Sequence, residues 1–407
     1  MSYLIKIGKA LKPEQGLALL DLEKTIHSYI IGASRSGKTN FMIGYAGAVV
    51  KHLDCAMIII DPHGTFAPQI ATIAPKDRLI YVDKDHPIVI NPLRREYLNK
   101  SDKVKEITSV INSSVKVLNP QQADITVKME KIIRRAIYMF DEAELSLDYL
   151  SDFLEDWLTR DKFFKSHDKT KFWNLFDSTQ KIEQRDRDEN RATAGRITDR
   201  LSLLYEDENI SKFFIGDDQF NLFDITKEKK IICFNLDGYY DEDLAYIGNL
   251  ITYAVRSYVT KAPINGPRLL VFIDEFHYFV NKSFNNTLTS CLKRNISFCM
   301  SHHDHSQIDD GLVNIAINNA RLIASFEIGD KEEKKLLKKY KGYKEGNLLD
   351  WKFKCCHLGI DGKPHYIKLD HYDIEAYEPP PVDESISTEI PRPPEQRSYL
   401  LDGWIEI

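Results

Sequence analysis

The stretch that decides the fold is Gly32-Ala33-Ser34-Arg35-Ser36-Gly37-Lys38-Thr39, which matches the pattern G-x-x-x-x-G-K-[ST]. It follows the apolar residues 29–31 and precedes residues 40–51, whose composition suits a helix. A strand before such an octet and a helix after it form the setting in which the octet binds phosphate, whereas a glycine-rich turn without that setting binds nothing. The sequence therefore predicts a phosphate-binding loop at residues 32–39, called the phosphate loop below.

The residues of the phosphate loop suggest specific contacts with a nucleotide. The glycines let successive backbone N–H groups point at phosphates, and the N-terminus of the next helix adds positive potential. Lys38 is expected to neutralise the β- and γ-phosphates, and the Thr39 hydroxyl to bind Mg²⁺. The predicted nucleotide-binding residues are Gly32, Ser34, Arg35, Ser36, Gly37, Lys38, Thr39 and Asn40.

A second motif indicates what kind of nucleotide-binding protein this is. The apolar run at residues 268–273 ends in Asp274 and Glu275, as expected of a parallel strand that is covered on both faces. Asp274 suits the Mg²⁺ shell, and Glu275 suits a general base that orients the attacking water. An enzyme that hydrolyses ATP needs this second acid, whereas a simple kinase does not. The alternative is an acidic strand end that only caps a helix.

Composition narrows the class of protein. The chain has 407 residues, of which 43% are hydrophobic, so it can form a sizeable core and exceeds one typical domain. Because it has no run of 18 apolar residues and no long apolar leader, we expect a cytoplasmic protein without membrane insertion. The six cysteines show no C-x-x-C spacing, which favours reduced core thiols. With a formal net charge of −6, any DNA contacts must be local.

Strand and helix patterns alternate along the chain, which predicts an α/β fold with a mainly parallel sheet. The predicted strands are residues 28–32, 56–61, 78–82, 230–236, 268–274, 296–301 and 321–328. The helices predicted between them are residues 39–52, 242–260, 284–294 and 331–340.

The alternation is interrupted once, by charged amphipathic segments, and it stops near the C-terminus. We assign residues 1–94 and 216–376 to the two parts of the α/β core and residues 95–215 to an inserted all-α subdomain. Residues 377–407 are rich in proline and are expected to form an extended C-terminal arm. The arm either docks on a neighbouring subunit or partner or folds back on its own chain.

Five motifs, in order, resemble those of the HerA/FtsK superfamily of ring-forming, DNA-pumping ATPases. They are the phosphate loop, residues 58–64 (IIIDPHG), residues 90–93 (INPL), residues 196–204 (RITDRLSLL) and the strand before Asp274-Glu275. Over about residues 15–370 the chain is most similar to the HerA central domain and to conjugative coupling proteins. The resemblance implies a RecA-like core, a homo-hexameric ring, Mg²⁺-dependent ATP hydrolysis between subunits and DNA threaded through the channel.

The chain departs from the family pattern at several places. We expect this chain to have neither the β-barrel of HerA proteins nor the membrane helices of coupling proteins. The glutamine with which the family senses the γ-phosphate corresponds to His302, whose charge depends on pH. Glu327 stands where relatives often place an arginine. A neighbouring subunit must then supply its arginine from elsewhere, with Arg294 and Arg321 as the main candidates and Arg196 or Arg200 as weaker ones.

Three further features have a structural and a functional interpretation. Residues 302–305 (HHDH) could bind a metal, although ligands packed this closely rarely converge on one ion. The basic residues of one inserted helix could face DNA or solvent; these are Lys128, Lys131, Arg134 and Arg135. Tyr239 and Tyr240 could stack on nucleic acid or pack at a strand end.

The motifs together predict a cytoplasmic ATPase of the DNA translocase or helicase-like type, coupled to a nuclease, another effector or a transfer machinery. One alternative is an ATPase that drives polypeptide export or the assembly of a secretion channel. Another is an ATP-gated scaffold for a partner effector enzyme. DNA-stimulated ATP hydrolysis distinguishes the first prediction from the second, and function without hydrolysis would favour the third.

Overall fold

The computed structural model describes most of the chain, which divides into two compact units. The described residues are 4–12, 17–21, 27–118, 121, 123–140, 145–166, 184–279, 284–337, 355–359 and 364–368. The first unit comprises residues 1–86, 223–239 and 258–407, and the second comprises residues 87–222 and 240–257. The predicted C-terminal arm, residues 377–407, lies outside the described residues.

The first unit is built on one sheet, in which eleven described strands lie in the order β2-β1-β11-β10-β9-β3-β8-β7-β4-β6-β5. The strands are β1 Leu4–Lys12, β2 Leu17–Asp21, β3 His27–Ile31, β4 Ala56–Asp61, β5 Leu79–Val82, β6 Ile231–Asn235, β7 Leu269–Ile273, β8 Ile296–His302, β9 Ala320–Ser325, β10 Cys355–Gly359 and β11 Pro364–Lys368.

Seven neighbouring strands, from β9 through β3, β8, β7, β4 and β6 to β5, run parallel to one another. All residues of β3, β4, β7 and β8 are buried, as expected of parallel strands covered by helices on both faces. The predicted RecA-like α/β fold is thereby confirmed, and each of the seven predicted strands is present with bounds that differ from the predicted ones by at most three residues.

The other four strands extend the sheet beyond β9 and were not predicted. The strands β10, β11, β1 and β2 pair with antiparallel neighbours, and β1 lies between β2 and β11. The first and last described parts of the chain therefore meet in this antiparallel extension of the sheet.

Thirteen helices lie within the described residues. They are α1 Lys38–His52, α2 Ala67–Ile73, α3 Lys100–Leu118, α4 Val127–Met139, α5 Leu147–Glu155, α6 Trp157–Ser166, α7 Gln184–Tyr205, α8 Glu208–Phe214, α9 Leu222–Lys227, α10 Asp241–Lys261, α11 Phe284–Ser290, α12 Asp310–Asn319 and α13 Asp330–Leu337. Short 3-10 turns cover Phe276–Tyr278, Cys291–Arg294 and His305–Gln307. No described helix has both the length and the apolar character that a membrane crossing requires.

The second unit is helical, as predicted for the inserted subdomain, and it includes more residues than the predicted range 95–215. It covers residues 87–222 and also contains residues 240–257, which include most of α10. Its INPL motif has a structural function, because the Asn91 side chain donates to the Gly216 carbonyl at 2.9 Å and accepts from the Leu93 backbone at 3.0 Å. The buried Arg95 guanidinium lies 2.7 Å from a Glu106 oxygen, so this charge is paired inside the unit.

Candidate functional site

Strand order brings the predicted catalytic motifs together at one edge of the sheet. The phosphate loop follows β3, Asp274 and Glu275 follow β7, and β8 lies between these two strands. The carboxyl ends of parallel strands lie on the same edge, so loops far apart in sequence become neighbours there. This carboxyl edge of β3, β8 and β7 is the candidate site.

The shape of the phosphate loop depends on its glycines. Gly37, the residue just before α1, has a φ of 111°, in the left-handed region that residues with a Cβ rarely adopt. A Cβ on Gly32 would lie 2.6 Å from the Phe326 Cβ and 2.8 Å from the Ser36 hydroxyl oxygen, closer than atoms can approach. The loop therefore requires glycine at both ends, for a conformational reason at one and a steric reason at the other.

Lys38 is buried, and its ammonium points back across the phosphate loop. Its Nζ donates to the Gly32 carbonyl at 2.8 Å and to the Ala33 carbonyl at 3.2 Å. The third contact of Nζ is the Nδ1 atom of His303 at 2.9 Å. Burial lowers the pKa of Lys38, while the carboxylates of Glu275 and Asp274 act in the opposite direction.

Thr39 and Asp274 form a pair of oxygen ligands. The Thr39 hydroxyl donates to Asp274 Oδ2 at 3.1 Å, which joins the first turn of α1 to the end of β7. Asp274 Oδ1 accepts from the Glu275 backbone N–H at 3.1 Å and from the Ser301 hydroxyl. A hydroxyl beside a carboxylate that is held on both oxygens is a donor set that Mg²⁺ accepts.

Glu275 is held in an unusual conformation at the centre of the site. Its φ of 47° lies in the left-handed region, which is costly for a residue with a side chain and is found mostly at functional sites. Its Oε1 lies 2.8 Å from His303 Nε2, and only 5% of its side chain is exposed. Burial, and next the charge of Asp274, raises the pKa of Glu275 to about 7, with Lys38 opposing the shift. A carboxylate with this pKa can accept a proton near neutral pH.

Several buried polar atoms around the loop have no hydrogen-bond partner among the described residues. They include the Ser36 hydroxyl oxygen, the Asn40 side-chain oxygen and Glu275 Oε2. Glu275 Oε2 lies 3.4 Å from His277 Nδ1 but without hydrogen-bond geometry, so the two atoms do not satisfy each other. Since buried polar groups are nearly always paired, these atoms fit a site that binds a polar ligand.

The structure does not bring His302 to this cluster. His302 is fully buried, and its Nε2 lies 2.5 Å from the Tyr29 hydroxyl. Its ring packs edge-on against Phe276 at a centroid distance of 5.2 Å, and burial lowers its pKa to about 3. Its position therefore does not support the predicted contact with the γ-phosphate. The next residue, His303, has the side chain that reaches both Lys38 and Glu275.

The two arginines predicted to act on a neighbouring subunit lie far from this edge within their own chain. Arg294 precedes β8, and its guanidinium donates to the Ala262 carbonyl. Arg321 is exposed at the beginning of β9. Both positions are at the amino edge of the parallel sheet, opposite the phosphate loop. Because their predicted partner is another subunit, this assignment stays a prediction.

Within residues 58–64, Asp61 at the end of β4 has a structural function. Its fully buried carboxylate accepts from the backbone N–H groups of Phe66 at 2.7 Å and Ala67 at 2.8 Å, which holds the beginning of α2. Burial raises the pKa of Asp61 to about 6, although these backbone donors act against the shift.

The remaining sequence features are placed as follows. His302 and His305 are buried with their rings 5.9 Å apart, and among the described residues no group of three or more His, Cys, Asp or Glu side chains has a geometry suited to a metal. In the basic helix α4, Lys128 lies 2.7 Å from Glu189 and Arg134 lies 2.5 Å from Glu130, which favours a solvated face. Tyr239 is buried, whereas 80% of Tyr240 is exposed.

Comparison with known proteins agrees with this arrangement. The family profile described as "Helicase HerA, central domain" matches residues 5–255. The bacterial conjugative coupling protein TrwB has the same fold, with a TM-score of 0.59 and 14% identity over 84% of this chain and 84% of that chain. The structure of TrwB in complex with ADP and Mg²⁺ matches with a TM-score of 0.60 and 14% identity, covering 86% of each chain.

A third solved structure, VirB4 of Thermoanaerobacter pseudethanolicus, matches with a TM-score of 0.60 and 13% identity, over 91% of this chain and 97% of that chain. A search of curated proteins gave no match. At these identities the solved structures establish the fold, while the profile covers more than half of the chain. The chain therefore belongs to the HerA helicase central-domain family and is a P-loop ATPase of the HerA/FtsK type.

Proposed function

We propose that this protein is a motor that hydrolyses ATP with Mg²⁺ and moves DNA through the channel of a homo-hexameric ring. The observation that carries the proposal is the meeting of Lys38, Thr39, Asp274 and Glu275 at one edge of the sheet. Membership of the HerA family supports the motor function, and the coupling protein with the same fold was solved with ADP and Mg²⁺.

Each residue of the site has a separate task in the proposed reaction. The backbone N–H groups at the beginning of α1 and the Lys38 ammonium bind the phosphates. Glu275 accepts a proton from the attacking water, for which a pKa of about 7 is well suited. Ser36 and Asn40 supply buried oxygen atoms that have no partner among the described residues and are therefore available to the nucleotide or its metal.

The Mg²⁺ ion would be held by the Thr39 hydroxyl and Asp274, directly or through water. When bound, it neutralises charge on the phosphate oxygens. Asp274 is suited to this position because Ser301 and the Glu275 backbone orient its carboxylate from the other side. The Thr39–Asp274 hydrogen bond already brings the two ligands within 3.1 Å of each other.

We propose a ring because the site needs an additional positive charge to stabilise the transition state, and a neighbouring subunit can supply it. Transition states of phosphoryl transfer are stabilised by an arginine in many ATPases, whereas the charges that act on Glu275 here are those of Asp274 and Lys38. Arg294 or Arg321 of a neighbouring subunit is our proposed source. Repeated head-to-tail contacts of this kind produce a closed ring when their rotation closes.

DNA is proposed as the substrate because the family is described as a helicase and because the fold is shared with a conjugative coupling protein. A nuclease, another effector or a transfer machinery would use the motion. Buried free thiols support a reducing, cytoplasmic location; they are Cys55, Cys233, Cys291 and Cys299.

The test is ATP hydrolysis by the purified chain with and without DNA, combined with measurement of its oligomeric state. We expect hexamers, hydrolysis that increases when DNA is added, and DNA binding that weakens steeply with salt because it is directed at phosphates. Hydrolysis by a monomer that does not respond to DNA would contradict the proposal and would leave only a generic ATPase.

A further inference from the structure

The segment that follows β9, residues 326–329, is joined to the phosphate loop by its backbone. The Phe326 N–H donates to the Ile31 carbonyl at 2.8 Å, just before the loop begins. The Ala33 N–H, inside the loop, donates to the Glu327 carbonyl at 2.7 Å. The backbone of Glu327 is therefore held beside the first residues of the phosphate loop.

The strand order gives a bound nucleotide a direction along this edge of the sheet. The γ-phosphate is expected beside the proposed base, Glu275, at the end of β7, and β8 lies between β7 and the strand β3 that precedes the phosphate loop. On the other side of β3 lies β9, three strand positions from β7 and about 14 Å away at the usual spacing. A nucleotide whose γ-phosphate points toward β7 directs its ribose toward β9, where Glu327 lies.

The chemistry of the Glu327 side chain suits a ribose and not a phosphate. The residue is exposed, and its carboxylate has no hydrogen bond or ion pair with another of the described residues. An ionised carboxylate only accepts hydrogen bonds, and its charge is repelled by phosphates. The 2′- and 3′-hydroxyls of a ribose are neutral donors, and an acidic side chain binds such hydroxyls in dinucleotide-binding folds.

We propose that Glu327 binds the ribose of the nucleotide by accepting hydrogen bonds from its hydroxyls, and thereby selects ribonucleotides over 2′-deoxyribonucleotides. The negative charge of Glu327 also opposes a ligand that brings phosphates but lacks the 2′-hydroxyl, so both effects favour the ribonucleotide. This inference rests on the proposed binding of ATP at the phosphate loop.

The proposal predicts a loss of affinity that depends on the sugar. The wild-type chain should bind ADP about tenfold more tightly than 2′-deoxyADP, the lower end of the range for a hydrogen bond to a charged group, because Glu327 is exposed. Glu327→Ala should bind ADP about tenfold more weakly than the wild type, while its affinity for 2′-deoxyADP should stay within about twofold. Diphosphates are used because the chain does not hydrolyse them at the γ-position, so a titration measures binding alone.

The experiment is a titration of the full chain with ADP, 2′-deoxyADP and inosine diphosphate in the presence of Mg²⁺. It compares the wild type with Glu327→Ala, Glu327→Gln and the control Glu228→Ala. Glutamine keeps an accepting oxygen without the charge, so Glu327→Gln should retain part of the preference for ADP over 2′-deoxyADP. Glu228 is an exposed glutamate between α9 and β6, at the opposite edge of the sheet, and its variant should behave as the wild type.

Two results would overturn the inference. One is a Glu327→Ala variant with the same ratio of affinities for ADP and 2′-deoxyADP as the wild type, which would make Glu327 an acid that only faces solvent. The other is a Glu327→Ala variant that loses only a preference for ADP over inosine diphosphate, which would assign the carboxylate to the amino group of adenine. Failure of the proposed function gives a different result, because the wild-type chain would then bind none of the three nucleotides.

Discussion

At the scale of single residues, Lys38 and Glu275 should fail in different ways when they are replaced. Lys38→Ala removes the buried ammonium that contacts phosphates, so nucleotide affinity should fall. Glu275→Gln keeps the shape of the site and loses the base, so the nucleotide should bind normally while kcat falls about 10²- to 10⁴-fold. Nucleotide titration and phosphate release measure the two effects. The same loss of affinity in both variants would contradict this division of tasks.

The pKa of Glu275 makes a prediction about pH. Burial raises this pKa to about 7, so the carboxyl becomes protonated as the pH falls below that value and can no longer accept a proton. We therefore expect kcat/KM to increase as pH rises through about 7 and to level off above it, whereas a glutamate with an ordinary pKa would stay active to about pH 5. The residual kcat/KM of the Glu275→Gln variant should not show this increase near pH 7.

At the scale of secondary-structure elements, β8 carries two consecutive histidines with different surroundings. His302 packs between β3 and the turn after β7, where its ring meets Tyr29 and Phe276. His302→Ala should leave a cavity and an unpaired Tyr29 hydroxyl, which costs about 2 to 4 kcal/mol of unfolding free energy. Denaturant unfolding measures this loss, with His86→Ala expected within about 0.5 kcal/mol of wild type. A His302→Ala variant that is stable but has a low kcat would instead support the predicted catalytic function of His302.

The parallel strands could be predicted because they are buried on both faces and appear as continuous apolar runs. Residues 56–61 match β4 without error for this reason. The strand β1, with the sequence LIKIGKALK, has charged residues within the run and pairs with β11 from the other end of the chain. A local pattern contains no information on such a distant partner.

The sequence predicted those residues of the candidate site that belong to recognisable motifs. The phosphate loop and the Asp274-Glu275 pair carry their own signals, and the structure places them together. His303 was missed because the family motif marks the end of a strand, not which of two consecutive side chains leaves it toward the site. Alternation along the strand was the available signal, since successive side chains point to opposite sides.

At the scale of the whole molecule, the proposed ring allows a test by mixing variants. The Glu275→Gln variant is inactive because its own site lacks the base. An arginine variant is inactive because the site of the neighbouring subunit lacks the arginine side chain. Mixed rings contain some interfaces with both functional groups, so mixing Glu275→Gln with Arg294→Ala or Arg321→Ala should restore part of the ATPase activity.

The control for mixing is a stability measurement on each arginine variant. Arg294 donates to the Ala262 carbonyl, so its replacement also affects its own subunit, whereas the exposed Arg321 should be tolerated. If neither variant regains activity in mixed rings although each is inactive and folded, the arginine comes from another position.

The antiparallel extension of the sheet has a consequence for how the chain is made. The strand β1 is synthesised before its partner β11, which follows about 350 residues later, roughly 20 to 70 s at ordinary translation rates. A two-stranded hairpin is marginally stable in water, so β1 and β2 must wait with one edge unpaired until β11 has been synthesised. The antiparallel extension of the sheet therefore closes only after β11 has been synthesised, long after β1.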